Sequence, residues 1–389
     1  MGGDGWDGIP ADVFSEILLC IPPCARRRLR LVCRHWRGVI DERAPEPRSR
    51  PKVLAFFGER RGGSRAVVFD DDALPGGGKK KNGCGARELG LEGSGADAAG
   101  VRMIGTCNGL ICVLRESGGN VAVLNAAVRE MVDALPPHTW PGLDASTYTF
   151  GYHAETGRYK VVHVPCDLRS AELAAVYVFT LGAGGAVALW KEVAAPAGSG
   201  CLLRFGLVTI GGVAYWVTKD GARIMAFDLG DETFAPLEWP PMPVLLWMDD
   251  GHTHTCHLTE VRGRLGLVVR RANHEPKRPK TTEVWVLEGE SAEERAWVKS
   301  FTVEAQGEAR RQEIALPHVA HGNHVLTTSQ QRRDGVLWLT LNAHRLRGER
   351  KLRCGVARVG ATSAETRLGE YDSPSIRTFA YVETREPVW

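Results

Sequence analysis

No run of apolar residues in this 389-residue chain approaches the roughly 18 that a membrane-spanning helix needs, so a membrane-embedded protein is not expected. Charge of one sign is also lacking. Lys and Arg number 49 against 46 Asp and Glu, a formal net charge of +3. The basic residues are scattered, and the runs at 26–28 and 79–81 are three residues each, too little to track a phosphate backbone. Nucleic acid is therefore not an expected partner. Ten cysteines include no C-x-x-C pair, which argues against a zinc framework. The first eight residues are Gly- and Asp-rich rather than basic and then apolar, so the thiols are expected to stay reduced, in cytoplasm or nucleus. No G-x-S-x-G elbow, phosphate-binding loop or dinucleotide fingerprint occurs, and no cofactor is expected. Beyond residue 43, amphipathic stretches of helix length are scarce.

Those first 43 residues are the exception. Pro10 suits the first position of a helix, where its missing N–H costs nothing, and Asp12 sits in the first turn, where the helix dipole favours negative charge. Val13, Phe14, Ile17, Leu18 and Ile21 then fall on one helical stripe, ended by Pro22-Pro23. A second set, Leu29, Val32, Cys33, Trp36, Val39 and Ile40, also fits one helical face. Two or three short helices fit this length. So small a unit rarely gains more than about 3–5 kcal/mol from its own core. The pattern leaves two readings open: a helical module with an apolar face for a partner, or a helical cap on the rest of the chain.

The residues Ile9-Pro10, Asp12-Val13, Glu16-Ile17-Leu18, Ile21-Pro22 and Leu31-Val32-Cys33-Arg34-His35-Trp36-Arg37-Gly38-Val39-Ile40 resemble an F-box. That resemblance implies a three-helix module over 5–43 that docks onto the SKP-type adaptor of cullin–RING ubiquitin ligases. It implies that Ile9, Pro10, Val13, Phe14, Ile17, Leu18, Leu29, Val32, Cys33 and Trp36 form the adaptor face or the small core behind it. Arg26 and Arg27 stand where the family usually carries apolar residues. They are expected either to weaken the adaptor face or to lay their alkyl stems over apolar surface with the charges in water.

Residues 44–51 form a proline-rich, semi-rigid linker, and beyond it the periodicity changes. The apolar runs at 53–57 and 66–69, with Gly62-Gly63 between them, read as a hairpin. Residues 73–100 are rich in glycine and read as a mobile loop. Similar strand-like runs recur at 67–69, 121–124, 176–179, 225–229, 284–287 and 356–359, in steps of about 55, 54, 50, 58 and 72 residues. Several are followed within about 20 residues by an aromatic, as at Trp190, Phe234 and Trp297. Hairpins with glycine turns, 205–217 and 258–268, fit inside the repeats. Four-stranded repeats of this order predict a large all-β domain over 52–389, a β-propeller of six blades or seven. Two stacked β-sandwiches are the alternative.

Further motifs carry a second resemblance. Gly105-Thr106-Cys107-Asn108-Gly109-Leu110-Ile111-Cys112, Val123-Leu124-Asn125-Ala126-Ala127-Val128-Arg129-Glu130 and the stretch from Phe150-Gly151-Tyr152 to Tyr159-Lys160-Val161-Val162 are similar to plant F-box-associated domains. Ala126 and Ala154 replace the usual turn prolines. The resemblance implies a domain that recruits the protein destined for ubiquitylation. The combined reading is a non-catalytic substrate receptor that bridges an SKP-type adaptor, and through it a cullin–RING ligase, to a target protein the sequence does not name. A free-standing propeller interaction module is the alternative. A third reading, a metal-dependent enzyme, rests on His252, His254 and Cys256, which would share one face of a strand. No fourth ligand or general base accompanies them, and loop histidines are the favoured interpretation. His318, His321 and His324 have helical spacing, but Gly322-Asn323 argues for a turn. Trp190, Trp216, Trp285, Trp297 and Trp338 read as blade core.

Overall fold

The computed structural model describes residues 11–21, 26, 29–30, 32–43, 51–58, 64–70, 86–91, 100–115, 119–134, 145–166, 172–181, 190–240, 254–271, 281–289, 294–304, 312–333, 336–347, 351–355 and 375–384. Two helices open it, α1 (Ala11–Cys20) and α2 (Arg34–Arg43), and they pack on each other. The expected middle helix falls largely outside the described residues, although positions 26 and 29 are helical. The linker is outside them up to residue 50.

The rest is β-structure. Strands β1 (Lys52–Gly58), β2 (Arg65–Phe69) and β3 (Ala86–Leu89) pair in order. So do β4 (Val101–Cys107), β5 (Leu110–Arg115), β6 (Asn120–Asn125) and β7 (Glu130–Ala134). The third sheet holds β8 (Tyr148–His153), β9 (Arg158–His163), β10 (Ala175–Thr180) and β11 (Trp190–Ala194); the fourth holds β12 (Leu207–Ile210), β13 (Val213–Val217), β14 (Ile224–Asp228) and β15 (Phe234–Leu237). A nine-stranded sheet follows. It joins β16 (His254–Val261), β17 (Arg264–Arg271), β18 (Thr281–Glu288) and β19 (Ala296–Glu304) to β21 (His318–His321), β22 (His324–Arg333), β23 (Val336–Arg347) and β24 (Lys351–Gly355), with β20 (Gln312–Ile314) on β22. The link is a short parallel pairing of β16 with β21 at Glu260 and Val261. Last, β25 (Ser375–Tyr381) pairs antiparallel with β1 over seven residues, so the first sheet is built from both ends of the β-region.

These sheets have a propeller-like arrangement. Strand β4 lies against β8, β8 against β12, β12 against β16, β21 against β25, and β25 against β4. The apolar cores lie between neighbouring sheets. One joins Leu54, Phe56 and Val68 to Met103, Ile111 and Val113. Another joins Val162, Val176 and Val178 to Ala214, Trp216 and Phe227. A sheet buried on both faces needs continuous apolar strands, which explains why LICVL at 110–114 and VAVLN at 121–125 are buried throughout.

The repeated runs have a structural meaning. Those at 67–69, 121–124, 176–179, 225–229 and 284–287 fall on β2, β6, β10, β14 and β18, each one place in from the last strand of its row. Residues 356–359 lie outside the described residues, and the corresponding place is taken by β23, about 56 residues past the run at 285. The run at 356–359, and with it the step of about 72, lies past the end of that strand. The aromatics Trp190, Phe234 and Trp297 lie at or near the start of β11, β15 and β19. Residues 73–100, read as loop, contain β3. Its sequence, AREL, has little strand character, but Leu89 is buried and Arg65 on β2 holds Glu88 at 2.8 Å.

Tight turns follow the sequence. Asn108-Gly109, Gly211-Gly212 and Arg262-Gly263 have positive φ at both residues, as two-residue hairpin turns demand. At Gly109 (φ 87°) a β-carbon would lie 2.3 Å from the Val382 carbonyl oxygen. Gly109→Ala is therefore expected to cost about 2 kcal/mol or more, read as a lowered thermal midpoint, because backbone strain and a backbone clash coincide.

Candidate functional site

The helical module presents one face and buries another. Phe14, Leu18, Val39 and Ile40 form its core, with Ile21, Leu29 and Trp36 packed against them. The Trp36 ring meets Phe14 edge-on at 4.8 Å. Val13 and Ile17, 48% exposed, and Val32, 57% exposed, stand on the surface instead. Cys33 is half-buried and its Sγ accepts the Trp36 N–H at 3.5 Å. Ile9, Pro10 and Arg27 lie outside the described residues, whereas Arg26 is 3% exposed. Arg26 is thus buried as a whole residue rather than lying across the surface with its charge in water.

In the β-region the first strands enclose a cavity of about 390 Å³. Its lining includes Thr106, Thr149, Thr209, Glu260, His318 and Arg377, from β4, β8, β12, β16, β21 and β25. Two threonine hydroxyls, Thr149 and Thr209, are 2.7 Å apart. Arg377 donates from Nη1 to the Met103 carbonyl at 2.7 Å, and its guanidinium lies 5.2 Å from the Phe379 ring centroid. His318 donates from Nδ1 to Glu260 Oε2 at 2.8 Å, and the Gly263 N–H donates to Glu260 Oε1 at 2.8 Å. Burial alone would raise the Glu260 carboxyl; the hydrogen bond and charge of His318, with the Gly263 N–H, hold it below the usual carboxylate range. Thr378 Oγ1 donates to the His318 carbonyl at 2.8 Å and fixes β21 beside β25.

Of the histidine clusters read from sequence, the first falls largely outside the described residues, and in the second the His318 and His321 rings lie 5.8 Å apart. His252 lies outside the described residues, as does the side chain of His254, and Cys256 is buried among Phe205, Val208 and Leu258. His318 and His321 are buried on β21, and Gly322-Asn323 turns the chain to His324 on β22. Among the described residues no group of three or more His, Cys, Asp or Glu could hold a metal ion. Trp216 is fully buried; Trp190, Trp285 and Trp297 are half-buried against core clusters, and the Trp338 side chain lies outside the described residues.

Residues 93–347 match the F-box associated beta propeller domain. The chain belongs to that family. Residues 6–45 match the F-box domain. No curated protein matches the chain. Among solved structures, TolB from Acinetobacter baumannii is similar at 6% identity and a TM-score of 0.38, over 75% of this chain and 61% of that one, so the chain spans under two thirds of it. The Cps50 (Swd1) β-propeller domain of Myceliophteria thermophila is similar at 11% identity and 0.38, over 79% and 86%. The WD40 domain of SCAP from fission yeast is similar at 10% and 0.30, over 80% and 66%.

The architecture of this family member is therefore an F-box followed by an F-box-associated propeller. Sequence reasoning did not find Glu260 or Arg377, and weighed His318 only as a metal ligand. They lie up to 117 positions apart, on strands that only the closed arrangement brings together, and no local motif marks them.

Proposed function

We propose that this protein is the substrate receptor of an SKP–cullin–F-box ubiquitin ligase, acting in cytoplasm or nucleus. Residues 5–43 dock on the SKP-type adaptor, 44–51 act as linker, and 52–389 form a six-bladed propeller that holds the target. The chain supplies no covalent chemistry; it raises the effective concentration of the target beside the ubiquitin-charged enzyme by binding two partners at once. The carrying observation is that Val13, Ile17 and Val32 stand exposed over a packed core of Phe14, Leu18, Val39 and Ile40. An apolar patch of this kind is what a partner covers. The six-blade count is supported by the six strands β4, β8, β12, β16, β21 and β25 that line one cavity.

Titration of purified SKP-type adaptor against the full chain tests the reading. Each exposed side chain has about half its surface left to bury, about 1 kcal/mol apiece. Val13→Ala, Ile17→Ala and Val32→Ala together should weaken adaptor binding by about 2–4 kcal/mol, roughly thirtyfold to several hundredfold, without unfolding the module. If the wild-type chain does not bind at micromolar adaptor, the free-standing interaction module replaces the ligase receptor.

A further inference from the structure

We propose that Cys166 and Cys201 are a reversible redox pair: hydrogen peroxide closes a disulfide between them that staples the third sheet to the fourth, and a dithiol reductant reopens it. The chemistry is the same whether or not the chain joins a ligase.

The fold brings the pair together from two sheets. Cys166 follows β9 in the third sheet, two residues after Val164, whose N–H donates to the Thr147 carbonyl at 2.8 Å. Cys201 leads into β12 of the fourth sheet. It is bridged to Thr218, and the Leu202 N–H beside it donates to the Val217 carbonyl at 2.9 Å. Both sulfurs thus sit on backbone fixed by hydrogen bonds. Cys201 belongs to the apolar cluster that joins the two sheets, and Cys166 packs against that cluster. Cys166 Sγ donates to the Val164 carbonyl at 3.3 Å, which leaves its lone pairs for a donor, and the Cys201 thiol hydrogen-bonds it. That bond and burial push Cys201 well above the usual thiol range, so it keeps its proton at rest.

Exposure divides the roles. Cys166 is half-buried and Cys201 is 7% exposed, so a small oxidant reaches Cys166 first. The Cys166 sulfur attacks one peroxide oxygen, the O–O bond breaks, water leaves with the thiol proton, and a sulfenic acid remains. The Cys201 sulfur then attacks the sulfenic sulfur. The S–S bond forms, the S–O bond breaks, and the Cys201 proton leaves with the hydroxyl as a second water. The two thiols lose two electrons and the peroxide gains them. Because the second sulfur is already in contact, this step is intramolecular and outruns further oxidation of the sulfenic acid. A dithiol reverses it by exchange, closing its own disulfide. Cys112, by contrast, is fully buried, and burial alone pushes its thiol up, which makes it inert. Both members of the pair are free thiols in the resting chain, and disulfides inside cells are usually transient and redox-sensing. The bridge closes a loop between positions 35 apart in sequence. Constraining the unfolded chain to that extent should raise the thermal midpoint by about 5 °C.

The test treats the reduced full-length chain, native and at neutral pH, with graded hydrogen peroxide, blocks remaining thiols by alkylation and digests without reductant. Trypsin places each cysteine in a peptide with no other, 161–169 and 192–204, so the link is read directly by mass. The Cys166–Cys201 link should be the first disulfide to form, approach completion and vanish with dithiothreitol. The bridged chain should melt about 5 °C above the reduced one. Cys201→Ala should divert Cys166 to sulfinic acid at the same peroxide dose, and Cys166→Ala should leave Cys201 a thiol; melting curves confirm that both variants fold. Mapping of the wild type needs neither variant. Cys166 paired with another cysteine, Cys166 carried to sulfinic acid in the wild type, Cys166 left unreacted while other thiols oxidise, a link that dithiothreitol does not open, or a midpoint unmoved by the link would each overturn the proposal.

Discussion

Trp216→Ala should destabilise the β-region by about 4–8 kcal/mol. Trp216 is fully buried, in the cluster that joins the β8–β11 sheet to the β12–β15 sheet. Its ring meets Phe234 edge-on at 6.1 Å, and its Nε1 donates to the Ser199 carbonyl at 2.8 Å. Removing a buried aromatic side chain costs about 3–5 kcal/mol, and the carbonyl left behind in the core adds about 1–3 kcal/mol. Domains have only about 5–15 kcal/mol in total. Trp216→Phe keeps most of the apolar volume and loses the hydrogen bond, so it should fall between wild type and the alanine variant. Urea unfolding at neutral pH reads both: the midpoint should drop in that order with the slope preserved. An unfolding free energy for Trp216→Ala within about 1 kcal/mol of wild type would mean that the two sheets do not depend on this contact.

Mild acid should unfold the protein. Burial pushes the His163 imidazole down to about 3 and the His257 imidazole down to about 4. His163 is sandwiched between Tyr148, at 4.3 Å, and Tyr177, at 6.2 Å; His257 lies under Gly206, where a β-carbon would approach its ring within 2.2 Å. Both rings stay neutral in the folded chain, but they protonate below about pH 6.5 once unfolded. The unfolded state then binds more protons, so stability is fullest above about pH 6.5 and falls as the pH drops, at about 1.4 kcal/mol per unit for each ring. The loss continues to about pH 4 for His257 and about pH 3 for His163. Between pH 6.5 and 4.5 the two together remove roughly 5 kcal/mol. Glu232 adds to this at lower pH. Burial would raise its carboxyl, but Lys160, at 2.7 Å, and Lys191 hold it below the usual range, so that contribution fades as acid protonates it. Urea midpoints measured at pH 7 and pH 5 should differ accordingly. His163→Phe, which keeps the stack on Tyr148 and cannot titrate, should remove about half the difference. A midpoint flat across that interval would show that both rings reach water.

The sequence was most legible where physics is local. Val13, Phe14, Ile17 and Leu18 lie on the stripe that helical spacing gives, and the Gly211-Gly212 and Arg262-Gly263 turns fall between the strands expected on either side. The repeat was visible because each sheet needs one strand buried on both faces, and such a strand must be apolar along its length. Spacing did not separate the two sides of α1. Val13 and Phe14 are neighbours on one apolar stripe, yet one is 48% exposed and the other 5%, a division fixed by where α2 packs. Strand β3 escaped because an edge strand is held by backbone pairing and one or two anchors such as Leu89, not by an apolar run. The cavity escaped for a different reason: Glu260, His318 and Arg377 are distant in sequence, and each looks ordinary in its own strand.

The pairing of β25 with β1 sets a timetable for the protein's birth. Strand β1 leaves the ribosome more than 300 residues before its partner at Ser375–Tyr381 is made. At about 5–20 residues per second, it waits roughly 15–60 s with one row of backbone donors and acceptors unanswered. An apolar strand with a bare edge is a template for aggregation. The nascent chain therefore needs a chaperone, or shielding by its own later sheets, for most of its synthesis. A chain cut short by a late stop codon would keep its helices and most of its sheets, yet expose that edge permanently. Loss of β25 alone should thus send a molecule that keeps its other described strands to degradation.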